Sequence, residues 1–540
     1  MITFGSKLQH LPPSDCLTPD MGTRDEPPDE PPRFVWASED EDSEDEDDGP
    51  SLAQMRARWE DDAEAEARGG STKKRRKKET RRRAARYDHV YPPGDSRRRT
   101  LDSSRSPWYE LIEHPEVRVP GSWAFNKFRK TFRVPMPVVD KLMAAAQRKP
   151  EWADKPAGQG NGRGPARHPL ILKVLAALKF LAKDHDPDDL EQVARISTTT
   201  LRRFIVEFVT WLGTEQYAIH VGLPDAEKLR ASLSVYEKLG FPGAYCETDG
   251  VHVEWNNCPA KWRIECTGKE GYPTIAFNVS ILHNKEIIHG TSWTGGATND
   301  QTQARYDELF QKLRWDQEKL APDELLKYKL LDEKGELVEW IGLYAIVDGG
   351  YFAWRCLQAP LRDAAGDDGA RWSERLESVR KSVEMTFGIM KKRFKVLRNA
   401  MLFRDPKYIE KVFRACCTLH NLLLRYDRLD TMGQRGQDWV KSKEVLRARD
   451  DTEGSRGRHV VRGPRNRSKA AGGMEQGHIN LREALITHYA QKRKLEAVEW
   501  LRTAAEVRPR AGREEDEEGE EEEEEEEEYM FGNTSDEDDF

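Results

Sequence analysis

Apolar residues along this chain fall into distinct regimes. From about 107 to 215 they recur at three- and four-residue spacing, as in MPVVDKLMAAAQ and PLILKVLAALKFLAK, each begun near a proline. That spacing predicts amphipathic helices. The stretch DPDDLEQVARISTTTLRRFIVEFVTWL keeps the same period but breaks it at Ile196-Ser197. Asp188 and Asp189 suit a helix N-terminus, and Ser197 or Thr198 can cap the helix after the break. Residues 186–212 thus have two readings. One is a helix-turn-helix whose second helix carries Thr199, Thr200, Arg202 and Arg203 toward DNA. The other is a plain helical hairpin packed on the next domain.

From 240 to 430 the period changes. AYCETDGVHVEW, TIAFNVSILHN and EIIHGTSWTG read as successive strands. NDQTQARYDELFQKL reads as a helix, with Thr298 and Gln301 spaced for a capping box. LYAIVD is another strand, Arg371 to Arg398 a long helix, and PKYIEKVFRACCTLHNLLLRYD a further helix. Three strands, a helix, a strand and then helices is the order of an α/β domain of ribonuclease H-like type. Residues 429–475 are polar and rich in Gly and Arg, which predicts a linker. Residues 476–508 predict one more amphipathic helix.

Flanking these regimes, residues 1–105 and 509–540 have too few apolar positions for a core and are expected to be disordered. Charge sharpens that division. Residues 39–48 hold nine acids and residues 514–540 hold eighteen, with no Lys or Arg in either block. Without those 27, 69 acids face 87 bases, so a chain of net charge −9 has a basic body. Ten bases lie within residues 73–86, KKRRKKETRRRAAR, which reads as a nuclear-import signal that can also grip phosphates. A solvated linker is the plainer alternative. Such asymmetry points to nucleic acid or basic nuclear partners and to a nuclear location.

The seven cysteines include no CxxC pair, which argues against a disulfide framework. A zinc site from His252, Cys258 and Cys266 fits no common spacing. No apolar run is long enough to span a membrane.

The chemistry lies in the carboxylates. IVDGGYF ends a strand on Asp348 beside two glycines, and ETDGVH ends an earlier strand on Asp249 in the same manner. Acids at the ends of neighbouring strands emerge at one sheet edge, and a third from a crossing helix completes a cage of oxygens. Hard cations such as Mg²⁺ prefer such ligands, and three acids can hold two ions for phosphodiester chemistry. The long helix offers Glu374, Glu377 and Glu384. An apolar stripe of Val383, Phe387, Met390 and Phe394 surrounds Glu384, and Lys391, Lys392 and Arg393 follow it, ready for DNA phosphates. Glu247 shares the strand face of Asp249 and reads as a surface strand residue, with an acid supporting the site from behind as the alternative; His252 reads as an ordinary packed or exposed histidine, with a phosphate contact or a scaffolding role as the alternative, and His420 as a buried structural one.

Asp249 in ETDGVH, Asp348 in VDGGYF, Glu384 in SVEMTFGIMKKRF and the late ACCTLHNLL together resemble the PIF/Harbinger group of DDE transposases. Thirty-five residues separate Asp348 from Glu384, similar to that superfamily's spacing. The likeness runs from about 124 to 428. It implies an α/β, ribonuclease H-like (DDE) catalytic domain over 240–428, preceded by the helical region 106–215. It also implies a nuclease that cuts and joins DNA with Asp249, Asp348 and Glu384 as catalytic residues and ligands of Mg²⁺ or Mn²⁺. The resemblance selects Glu384 over Glu377. Where the family has Pro-Gly-Ser before a His-Asp pair, this chain has TGGATNDQT; Asp300 matches that aspartate but is read as a helix-capping residue rather than a ligand. Expected partners are DNA, a Myb-like accessory protein, histones or other basic proteins reached through the acidic tails, and further copies of the chain. The rival reading is a domesticated, catalytically silent DNA- or chromatin-binding protein. A ribonuclease acting on hybrid duplexes would need determinants that are not visible.

Overall fold

A computed structural model describes residues 102–152, 168–361, 367–434, 436, 439–441, 475–495 and 498–501. The readings of the basic arm, the acidic blocks and most of the linker lie outside those residues.

The helical region follows its caps. Helix α1 spans Trp108–Ile112. Helix α2, Trp123–Phe132, starts where Ser122 accepts the N–H of Phe125 and stops at Arg133, in the left-handed region. Helices α3 (Met136–Ala146) and α4 (Leu170–Lys183) each begin after a proline. Ten residues of α4 are buried, which makes it the axis of this layer. Helices α5 (Pro187–Ala194) and α6 (Thr198–Trp211) form the helix pair expected over 186–212, a geometry that both readings of that stretch share. Its turn runs through Arg195 at φ 55° and buried Ile196. Neither Ser197 nor Thr198 caps α6 with its own hydroxyl. The cap comes from α5, where Glu191 accepts both the N–H and the hydroxyl of Thr198. That bond fixes one helix against the other.

A π turn, Leu212–Gln216, carries α6 into the short α7, Tyr217–His220. Helix α8 spans Ala226–Lys238 and leads into the sheet. Its strands are β1 (Ala244–Glu254), β2 (Thr274–Ile281), β3 (Ile287–Gly290) and β4 (Thr294–Gly295), with a short helix α9 (Arg263–Cys266) after β1. Helices α10 (Asp300–Tyr306) and α11 (Glu308–Trp315) follow, then a hairpin of β5 (Lys327–Leu331) and β6 (Leu337–Ile341). Strands β7 (Tyr344–Ile346) and β8 (Leu357–Gln358) complete the main sheet.

The sheet order is β3-β2-β1-β7-β8, with β4 also on β2. Strands β1, β2 and β3 run antiparallel, whereas β1, β7 and β8 run parallel. A helical region followed by this mixed sheet is consistent with a ribonuclease H-like fold. Helix α12 (Asp367–Arg393), the short α13 (Lys395–Arg398) and α14 (Pro406–Leu423) come next. Val251, Val253 and Phe277 of the sheet meet Val383, Phe387 and Phe413 of α12 and α14 in one core. Phe277 and Phe413 stack at 4.1 Å. The opposite face packs Cys246, Ala345 and Val347 on α11. Strand β9 (Trp439–Lys441) pairs with β10 (Glu499–Leu501), and helix α15 (Gln476–Lys494) buries Leu481 and Leu485 beside Trp372 of α12.

Several expectations change in detail. The helix over NDQTQARYDELFQKL is two helices, because buried Asp307 turns its carboxylate to cap α11 through the N–H groups of Leu309 and Phe310. The capping box of Thr298 and Gln301 does not form; Asn299 is the cap, accepting from Thr302. The long helix starts at Asp367 and breaks at Phe394. The helix predicted over 476–508 gives way to a strand, and that strand's partner lies in the stretch read as linker. Among the described residues no helix is long and apolar enough to cross a membrane.

Candidate active site

Strand β1 carries the first acid. Its pairing with β7 shifts between Ala244 and Cys246, a bulge that turns Glu247, Asp249, Val251 and Val253 toward α12. Glu247 pairs with Ile346 in the parallel register. Asp348 follows two residues past the end of β7, close enough for its charge to act on Asp249. Asp249 does not end its strand as expected but sits inside β1, paired with Val279, whereas Asp348 lies past the end of β7; the two Asp-Gly steps still share one contact. Asp249 Oδ1 accepts the N–H of Gly250 at 2.8 Å, and Asp348 Oδ1 accepts that of Gly349 at 2.5 Å. Each carboxylate is thereby oriented by its own backbone.

Glu384 arrives from α12 through an arginine. Arg380, one turn earlier, donates from Nη1 to Asp249 Oδ2 and from Nη2 to Glu384 Oε1, both at 2.8 Å. Asp249, Asp348 and Glu384 thus all surround Arg380, which bonds two of them. Glu377 lies exposed on the same helix, and it is Glu384 that shares the guanidinium.

A fourth acid went unassigned in the sequence. Asp300 opens α10, and its Oδ2 lies 2.4 Å from where a Cβ at Gly350 would stand. A Cβ at Gly250 would stand 3.8 Å from Oδ1 of the same carboxylate. The second glycine of IVDGGYF therefore makes room for Asp300. The available signal was the NDQT match to the family's His-Asp pair, which helix capping explained equally well.

Burial and like charge act on these acids together. Burial pushes the Asp249 carboxyl up to about 6; Glu384 and Asp348 add to the rise, while Arg380 and the Gly250 N–H oppose it. Burial and then Asp348 raise Asp300. The phenol of Tyr351, donating to Asn278 Oδ1 at 2.6 Å, is raised by burial and by Asp249, Asp300, Asp307 and Asp348 together.

The donor set suits a hard divalent cation, since every candidate ligand is an oxygen. Two further observations fit. A cationic guanidinium already stands in between Asp249 and Glu384, and Gly250 and Gly350 keep side chains away from the acids. With Arg380 in place, no three of the His, Cys, Asp and Glu side chains among the described residues are drawn close enough to hold an ion.

The remaining residues divide clearly. Arg202 and Arg203 are exposed on α6, the first near Asp186 and Asp188 at 3.4 Å and the second on Glu207 at 2.8 Å. Lys391 and Lys392 are half-buried. Arg393 does not reach outward as expected: it is buried and bonds Asp427 at 2.8 Å, which Arg129 also holds at 2.6 Å. Glu247 is buried rather than exposed. It accepts from Tyr236 at 3.1 Å, and burial raises its carboxyl to about 8 against the opposing charge of Lys285. His420 is buried on the carbonyl of Lys285 at 2.9 Å, while Asn421 beside it pairs with both backbone groups of Ile287. The ACCTLHNLL motif thus pins α14 to the edge strand. His252 bonds Thr274 at 2.9 Å and joins no zinc grouping with Cys258 and Cys266.

Residues 218–430 match the profile of the family described as plant transposon protein. Protein ALP1-like of Arabidopsis thaliana is 22% identical over 316 residues, covering 56% of this chain and 72% of that protein. No solved structure matches. The matched span holds all three predicted acids, Arg380 and the whole main sheet, so the likeness to the plant transposon protein family takes in the candidate site.

Proposed function

We propose that this protein is a metal-dependent DNA endonuclease and strand transferase in which Asp249, Asp348 and Glu384 hold the catalytic cations. One observation carries the reading: three acids far apart in sequence surround Arg380, Asp249 from within β1, Asp348 from just past the parallel β7 and Glu384 from the crossing helix. When bound, a pair of Mg²⁺ or Mn²⁺ ions activates water and stabilises the leaving 3′ oxygen. The chain's own residues do the rest. Asp249 and Asp348, oriented by the N–H groups of Gly250 and Gly349, supply their outer oxygens. Glu384, exposed on α12, closes the set. The glycines leave the approach open to a phosphate.

DNA reaches the protein through the helix-turn-helix, with Arg202 and Arg203 on the exposed side of α6, and along α12 through Lys391 and Lys392. A nuclear location, a Myb-like accessory protein, self-association and capture of histones by the acidic tails complete the proposal. A second reading keeps the fold without the chemistry. The bridge from Arg380 to two of the three acids favours it, because a metal-free DNA- or chromatin-binding protein would retain that contact.

Labelled DNA incubated with the full chain and Mn²⁺ separates them. Nicking is expected, and Asp348→Asn and Glu384→Gln should each reduce it by about a hundredfold or more, since even outer partners of metal ligands cost 10–100-fold. Salt-sensitive binding without nicking, with the Myb-like partner supplied, would leave the silent reading.

A further inference from the structure

We propose that Arg380 is a positioning residue: it holds Asp249 and Glu384 as an internal cation and must yield its place when a divalent metal binds. The inference rests on the metal-dependent reading above. Both contacts measure 2.8 Å, and the side chain is only 15% exposed, so the guanidinium lies inside the cluster. Its Nε is buried without a hydrogen-bond partner, so the arginine is held by the acids at its tip rather than along its length.

The geometry forbids joint occupancy. Mg²⁺ takes its oxygens at about 2.0–2.1 Å, so two carboxylates sharing an ion approach more closely than two carboxylates spanning a guanidinium. A unit positive charge in contact with both ligands also repels a dication at short range. Arg380 therefore sets the metal affinity through its two partners. Without metal, it keeps mutually repelling acids in place. The four-residue spacing in RKSVE places arginine and glutamate on one helix face, so the contact is written into the helix.

The test is a Mn²⁺ titration of the full chain without DNA, read by loss of the free Mn²⁺ paramagnetic resonance signal. Arg380→Met should bind Mn²⁺ at least tenfold more tightly than the wild type, and Arg380→Lys, which keeps a charge but not the fork, should fall between. A purely structural arginine would not raise the affinity when removed. Tighter binding by Arg380→Met supports the inference, most strongly if the wild type binds no Mn²⁺ by itself. Equal or weaker binding by both variants, beside a wild type that binds, overturns it and leaves the nuclease reading standing. No binding by any of the three overturns both. Should Arg380→Met not fold, Arg380→Lys against wild type carries the comparison alone.

Discussion

A methyl group at Gly350 would lie 2.4 Å from Asp300 Oδ2 and 3.3 Å from its Cγ, so the acid and the glycine occupy complementary space. Gly350→Ala must push Asp300 aside, and overpacking of this kind costs about 1–3 kcal/mol. Denaturant unfolding should show that loss, and Asp300→Ala in the same chain should recover most of it, because the clash partner is gone. Buried histidines make a second residue-scale prediction. Burial lowers His283 and His420 to about 4 from the ordinary 6.5. Between those values the unfolded chain binds a proton that the folded chain refuses. Stability is therefore full above pH 6.5 and falls as pH drops toward 4, by on the order of 3 kcal/mol for each such histidine. The melting temperature should follow that fall, and His283→Asn should flatten it. An unchanged profile would assign the acid sensitivity to other groups.

At the scale of elements, periodicity served best where burial is one-sided. Helices α3, α4, α6 and α14 and the three antiparallel strands carry clean apolar patterns, and each lies close to its predicted place. The failures have several causes. Asp307 splits a helix with its side chain, and Phe394 ends another. The hairpin of β5 and β6 was missed because β6 exposes Leu337, Val338 and Ile341, giving no buried alternation to read. Helix α8 lay between two stretches with stronger signals. Strand β10 followed a helix with only a short break, and its partner is distant in sequence. On α6, Arg203 is 83% exposed and bound only to its helical neighbour Glu207. Arg203→Ala should weaken DNA binding and reduce its salt slope by about one phosphate contact. A slope equal to the wild type's would remove α6 from the DNA interface.

Across the whole molecule, the sequence offers the candidate site as a set of residue types and not as an arrangement. Asp249, Asp348 and Glu384 stand out by motif and spacing, whereas Arg380 and Asp300 matter only once β1, β7, α10 and α12 converge. Arg393 shows the converse. A base after a catalytic-type helix suggests DNA, yet tertiary packing places it with Arg129 around buried Asp427, tying α12 to α2. Removing one partner of a buried charge costs about 3–5 kcal/mol. Arg393→Ala should therefore lower unfolding free energy by that order, and any surviving folded protein should bind DNA with an unchanged salt slope.

In the proposed reading Asp249, Asp348 and Glu384 hold the cation. Crystals of the full chain soaked in MnCl₂ and measured at the manganese absorption edge test it most directly. An anomalous peak within ligand distance of Asp249 and Asp348, with Glu384 drawn in and Arg380 turned away, is the expected result. Manganese bound elsewhere while Arg380 still joins Asp249 to Glu384 would contradict it.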